Sequence, residues 1–102
     1  MTQAGYEVRL AADGEAALEE VNNNPPDLIL LDVNMPKRSG FEVCETIRAN
    51  AAWAKIRIVM LTAKGRDIER EQGLALGADD YVTKPFSTQE IVAKVNEMLA
   101  KP

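Results

Sequence analysis

The chain has 102 residues, 46% of them apolar, with 12 basic against 16 acidic side chains and a net charge of −4. That length holds a single domain, 1–102, with a modest core, and the acidic balance lacks the basic stripe that direct nucleic-acid binding requires. No apolar run approaches the roughly 18 residues that span a bilayer, and Met1-Thr2-Gln3-Ala4-Gly5 carries no signal-peptide pattern. A single cysteine, Cys44, has no internal partner for a disulfide, and the absence of histidine removes any His-based metal or acid–base site. A soluble, cytoplasmic protein without covalent staples is expected.

Tyr6-Glu7-Val8-Arg9-Leu10-Ala11 alternates apolar and polar residues and predicts a short strand with one exposed face. Asp13-Gly14 ends it, and Ala17, Leu18 and Val21 mark one stripe of a helix that closes at Asn22-Asn23-Asn24-Pro25-Pro26. The run Leu28-Ile29-Leu30-Leu31, set between Asp27 and Asp32, predicts a strand buried on both faces, as in a parallel sheet. Residues 33–38 form a loop containing Pro36. Ser39 then N-caps a helix through Phe41, Val43, Cys44 and Ile47, with Glu42 completing a capping box. After a connector that carries Trp53, a second buried strand is predicted at 56–62. Residues 66–76 predict a charged helix, with Gly77 where a left-handed C-terminal cap belongs. Residues 80–83 form a short strand. Ser87 and Glu90 open a last helix with Ile91, Val92, Val95 and Leu99 as its apolar stripe.

The order β-α-β-α-β-α-β-α implies a doubly wound α/β fold, with four parallel strands, four helices on both faces and right-handed crossovers. Chemistry in such sheets gathers at the carboxyl ends of the strands. That rule selects Asp32, Thr62 and Lys84, each at or just past a strand end. Singly, each has an ordinary structural reading: a loop-capping aspartate, a β-branched strand terminus, a solvated lysine. Together they offer a carboxylate, a hydroxyl and an ammonium on one rim. A carboxylate can attack phosphorus to give an acyl phosphate, provided that the phosphoryl oxygens are neutralised by a cation or Mg²⁺. Pro85 restricts the backbone of Lys84 to extended conformations and so holds the cation in a defined place.

The strings Asp27-Leu28-Ile29-Leu30-Leu31-Asp32-Val33-Asn34-Met35-Pro36, then Gly40, then Gly77-Ala78-Asp79-Asp80-Tyr81 and Lys84-Pro85-Phe86, resemble those of response-regulator receiver domains, the CheY-like, flavodoxin-like superfamily. The resemblance runs from Gly5 to the last helix. It implies that Asp32 is the phosphoacceptor, Thr62 the switch hydroxyl, Tyr81 the aromatic that follows it, and Lys84 the partnering cation. It further implies a sensor histidine kinase or phosphotransfer protein as donor, and Mg²⁺ bound by Asp32 and the backbone carbonyl of Asn34. The output is a switched protein-interaction surface over 66–101, and the last strings resemble a subfamily that forms homodimers through that surface with cross-subunit ion pairs. The module implied is a phosphoprotein of a phosphorelay rather than a turnover enzyme.

A complete receiver domain begins with a further strand and helix, and that strand supplies an acidic pair to the metal. Here Met1 to Tyr6 matches the end of the first helix and the start of the second strand, and no acidic pair precedes it. Asp13 does not occupy that position. Weak or absent Mg²⁺ binding is expected. The Leu28–Leu31 strand would present an unpaired edge, repaired by direct pairing with Tyr6–Ala11, by a strand from a neighbouring chain, or by a swapped dimer; an intermolecular repair is the reading favoured by the apolar edge. A rival function is a receiver-fold interaction module that is not phosphorylated. A remoter one, an aspartyl-nucleophile phosphatase, needs a general acid two residues after Asp32, where this chain has Asn34.

Overall fold

The computed structural model of the chain describes residues 2–3, 6–11, 13–33, 39–63 and 67–100. Their elements are β1 (Thr2–Gln3), β2 (Tyr6–Ala11), α1 (Gly14–Asn23), β3 (Leu28–Asp32), α2 (Gly40–Ala49), a 3-10 turn at Ala51–Trp53, β4 (Arg57–Ala63), α3 (Asp67–Ala75), β5 (Asp80–Lys84) and α4 (Thr88–Ala100). One sheet runs in the order β1-β2-β3-β4-β5. The last four strands are parallel, and β1 joins β2 antiparallel through Thr2–Glu7 and Gln3–Tyr6. The predicted four strands and four helices are all present. Thr2–Gln3 differs from its expected place at the end of a helix, because pairing with Tyr6–Glu7 satisfies its backbone as a short edge strand.

The edge problem is solved inside the chain. β2 lies directly beside β3, with Val8 opposite Leu28 and Ala11 opposite Leu31. The favoured intermolecular repair is therefore overturned, and direct pairing takes its place. The physical reason is proximity. The α1 crossover returns the chain to the edge of β3, so the backbone groups find partners without the entropy loss of association.

Strand alternation sorts the core into two layers. Ile29, Leu31, Ile58 and Met60 pack with Ala17 and Val21 of α1 and with Val43, Cys44 and Ile47 of α2. Gly73 of α3 lies against Met60 and Phe41 on this same face. Val8, Leu28, Leu30, Val59, Leu61 and Val82 pack on the other face with Ile91, Val95 and Met98 of α4. The buried stripe of α4 thus includes Met98, while Val92, predicted to be inside, is 38% exposed.

Three caps fix the helices as the sequence predicts. Ser39 Oγ accepts from Glu42 N at 3.2 Å and Ser87 Oγ from Glu90 N at 3.1 Å. Gly77, at φ +108°, ends α3 in a Schellman arrangement, in which Ala78 N donates to Gly73 O and Gly77 N to Leu74 O. A fourth cap went unread. Asp13 Oδ1 accepts from Glu15 N and Ala16 N and starts α1.

Candidate functional site

The carboxyl ends of β3, β4 and β5 share one rim, in a register that sets Asp32 opposite Leu61, Thr62 opposite Thr83 and Ala63 opposite Lys84. Alternation puts Asp32 on the face of Leu28 and Leu30, and Lys84 on the face of Val82, which is the same α4 face. Across the intervening strand, the Lys84 ammonium donates a hydrogen bond to Asp32 Oδ2 and forms an ion pair with it. The Asp32 side chain keeps 26% of its surface exposed. A carboxylate so placed is reachable by a donor and already has a cation in contact. The following peptide, Lys84–Pro85, is cis.

Thr62 completes the rim differently. It is buried, and alternation sends its side chain to the opposite face, the one that carries Met60 and Tyr81. Asp32 and Lys84 are thus in direct contact, and Thr62 flanks them from behind the sheet. Asn34, whose carbonyl was assigned to a metal, lies outside the described residues, as do Arg66 and Lys101 at the ends of the predicted switching surface.

Two further residues position the site: Gly40, which the sequence offered only as part of the resemblance and without a role, and Arg70, which it did not single out. Gly40 opens α2 against the end of β3, where its N–H donates to Val33 O at 3.0 Å. A Cβ there would stand 2.4 Å from the Asp32 carbonyl oxygen, so only glycine lets the helix approach this closely. Its signal was a poor helix former in the first turn, directly after the Ser39 cap. Arg70 of α3 lies over the Tyr81 ring, 5.2 Å from its centroid, and its Nη1 donates to the Tyr81 hydroxyl oxygen at 3.2 Å. Among the charges of α3, nothing in the local sequence distinguishes it. On the neighbouring face Lys94 of α4 donates to Asp80 at 2.9 Å and lies 3.6 Å from Glu97. The hydrogen bond that Lys94 donates to Asp80 raises the Lys94 pKa above its ordinary value.

A protein-held divalent cation needs several oxygen ligands, commonly more than one carboxylate. Among the described residues no group of three His, Cys, Asp or Glu side chains could hold an ion, and the Asp32 carboxylate is engaged by Lys84. The described residues therefore do not fit a ready-made Mg²⁺ cage.

The family model of the response regulator receiver domain matches residues 1–96. The chain belongs to the response regulator receiver domain family. Among solved structures it is similar to a candidate response regulator from Chloroflexus aurantiacus J-10-fl, at 30% identity over 94% of this chain and 99% of that one, with a TM-score of 0.87. The chemotaxis response regulator CheY4 of Vibrio cholerae shares 35% identity over 92% of this chain and 78% of its own, with a TM-score of 0.81. The receiver domain of the TMAO respiratory system response regulator TorR shares 37% identity over 87% and 72%, with a TM-score of 0.76. This receiver domain is a module of two-component signal transduction. Receiver domains interact with histidine kinases or phosphotransfer proteins, typically bind Mg²⁺ and are generally switches rather than enzymes. No helix among the described residues is long and apolar enough to cross a membrane.

Proposed function

We propose that Asp32 accepts a phosphoryl group from the phosphohistidine of a sensor kinase or phosphotransfer protein, and that this one event switches a protein-interaction surface. The observation that carries the reading is the contact between Lys84 and the partly exposed carboxylate of Asp32. In the transfer an Asp32 oxygen attacks phosphorus, the O–P bond forms, the P–N bond breaks, and the departing imidazole takes up a proton. The Lys84 ammonium passes from the carboxylate to the phosphoryl oxygens, where charge develops. The phosphoryl group stays on the protein, so the event is a stoichiometric switch. On phosphorylation the Thr62 hydroxyl turns from its buried place on the opposite face over the rim to a phosphoryl oxygen, and Tyr81, which shares that face, follows its movement.

The surface that responds is formed by α3, β5 and α4. Ile68 and Val92 on it are 76% and 38% exposed, which favours docking of a second copy through this face once the switch has moved. The exposed β3 edge is no longer a candidate interface, because β2 occupies it. The cytoplasm, where kinase domains act, is the compartment that suits this role, and Mg²⁺ binds weakly, since among the described residues no group of three acidic side chains could hold it.

Intact mass after incubation with acetyl phosphate, with and without Mg²⁺, tests the reading. One phosphoryl adduct is expected on the parent and none on Asp32→Asn. A folded parent that takes up no phosphoryl group under either condition would overturn it in favour of an unphosphorylated interaction module.

A further inference from the structure

We propose that Arg70 is a latch on Tyr81 that holds the receiver in its resting arrangement, so that switching requires this contact to break. The inference rests on the phosphoacceptor reading above and names a regulatory residue for it. Tyr81 is partly buried against the core layer that contains Met60, and its ring also meets the Arg70 guanidinium. That group makes two kinds of contact with one side chain, stacking over the ring at 5.2 Å and hydrogen bonding to the phenol oxygen at 3.2 Å. A planar cation can satisfy both at once, which an ammonium cannot. The two partners come from different elements, α3 and β5, so the contact ties the helix to the strand that carries Lys84 three residues further on. Thr62 stands on the same face of β4 as Met60, which is opposite Tyr81. Any inward movement of the ring toward Thr62 withdraws the phenol from Arg70. An interaction made in one state alone biases the equilibrium toward that state by its own free energy. For a partly exposed cation–π contact that bias is about two- to fivefold.

Arg70→Met removes both charge and donor at similar chain length, and Arg70→Lys keeps a charge and a point donor but loses the planar guanidinium. The measurement is the ring signals of ¹³C-labelled tyrosine by NMR, with Tyr6 as internal reference, before and after treatment with acetyl phosphate. Expected is a displacement of the Tyr81 signals in untreated Arg70→Met toward their positions in the treated parent, a smaller one in Arg70→Lys, and no change at Tyr6. The initial rate of adduct formation should rise about two- to fivefold in Arg70→Met, whereas a merely structural loss would lower it. Tyr81 signals identical in parent and both variants would overturn the latch. If the parent forms no adduct, the phosphoacceptor reading fails by itself. The displacement of Tyr81 between untreated parent and Arg70→Met then decides whether Arg70 fixes the ring.

Discussion

A methyl group placed on Gly40 sets two effects of opposite sign against each other. Alanine is the better helix former by roughly 1 kcal/mol, yet its Cβ would meet the Asp32 carbonyl oxygen at 2.4 Å. The obstacle is backbone, held by the β3–β4 pairing at Asp32–Leu61, so it cannot rotate away as a side chain would. Overpacking of this kind costs about 1–3 kcal/mol and wins. Gly40→Ala should lower the unfolding free energy read from urea denaturation by up to about that amount and slow phosphorylation, because the shift falls on the residue that accepts the group. Cys44 carries a second residue-scale prediction. It is fully buried, and desolvation raises its thiol pKa from 9.0 to about 11. Its folded pKa lies above the unfolded one, so the folded state keeps its proton longer. The associated stability is complete below about pH 9 and is lost as pH rises from there toward 11. Unfolding free energy should therefore fall by about 2 kcal/mol across that window, and Cys44→Ala, though less stable at pH 7, should show a flatter profile. An equal slope in the two proteins would disprove the assignment.

At the scale of elements, the turn between α3 and β5 is held by a clasp that no local pattern announced. Arg48 from the last turn of α2 donates through Nε to Gly77 O and through Nη2 to Asp79 Oδ2, both at 2.7 Å. Asp79 Oδ2 also accepts from Ile58 N at the start of β4, at 2.8 Å. One carboxylate thus joins three elements, while Arg48 Nη1 is buried without a hydrogen-bond partner among the described residues. Removing Asp79 would strand two further donors. Asp79→Ala should cost about 2 kcal/mol, more than an exposed ion pair alone would, and Asp79→Asn, which retains an acceptor, should cost less. Equal losses in the two variants, read by denaturant unfolding, would mean that charge rather than the acceptor to Ile58 N matters. The contrast explains what the sequence discloses. Ser39, Ser87 and Gly77 were legible because a cap acts within four residues, and Asp32 and Lys84 because strand ends position them. The Arg48–Asp79 and Arg70–Tyr81 pairs span 31 and 11 residues and depend on how the helices lie on the sheet. Val92 differs from its predicted place for a related reason: a stripe fixes a helical face only to within one turn, and Met98 fills the layer with Val59 and Leu61 of β4 instead.

For the whole molecule, the placement of β2 decides whether the chain closes by itself. Strand order follows chain order, so α1, α2 and α3 cover one face of the sheet and α4 covers the other. The α4 face is consequently the less covered one, and at its β2 end Leu10 remains 62% exposed. The sequence could state the problem of the β3 edge but not its solution, since both intramolecular and intermolecular pairings satisfy the same backbone groups and the same alternation. The two differ in concentration dependence. With β2 supplied from the same chain, protection of the β3 amides that face β2 should be independent of protein concentration, and the molecule should sediment as a monomer before phosphorylation. Protection that weakens on dilution would mean that the neighbouring strand comes from another copy. Substitutions check which side chains the sheet covers. Leu10→Lys should leave stability within about 0.5 kcal/mol, since that side chain already stands in water. Leu30→Ala, in the α4 layer of the same sheet, should cost about 2–5 kcal/mol. A loss in Leu10→Lys equal to that in Leu30→Ala, read by denaturant unfolding, would mean that Leu10 is packed in solution rather than standing in water.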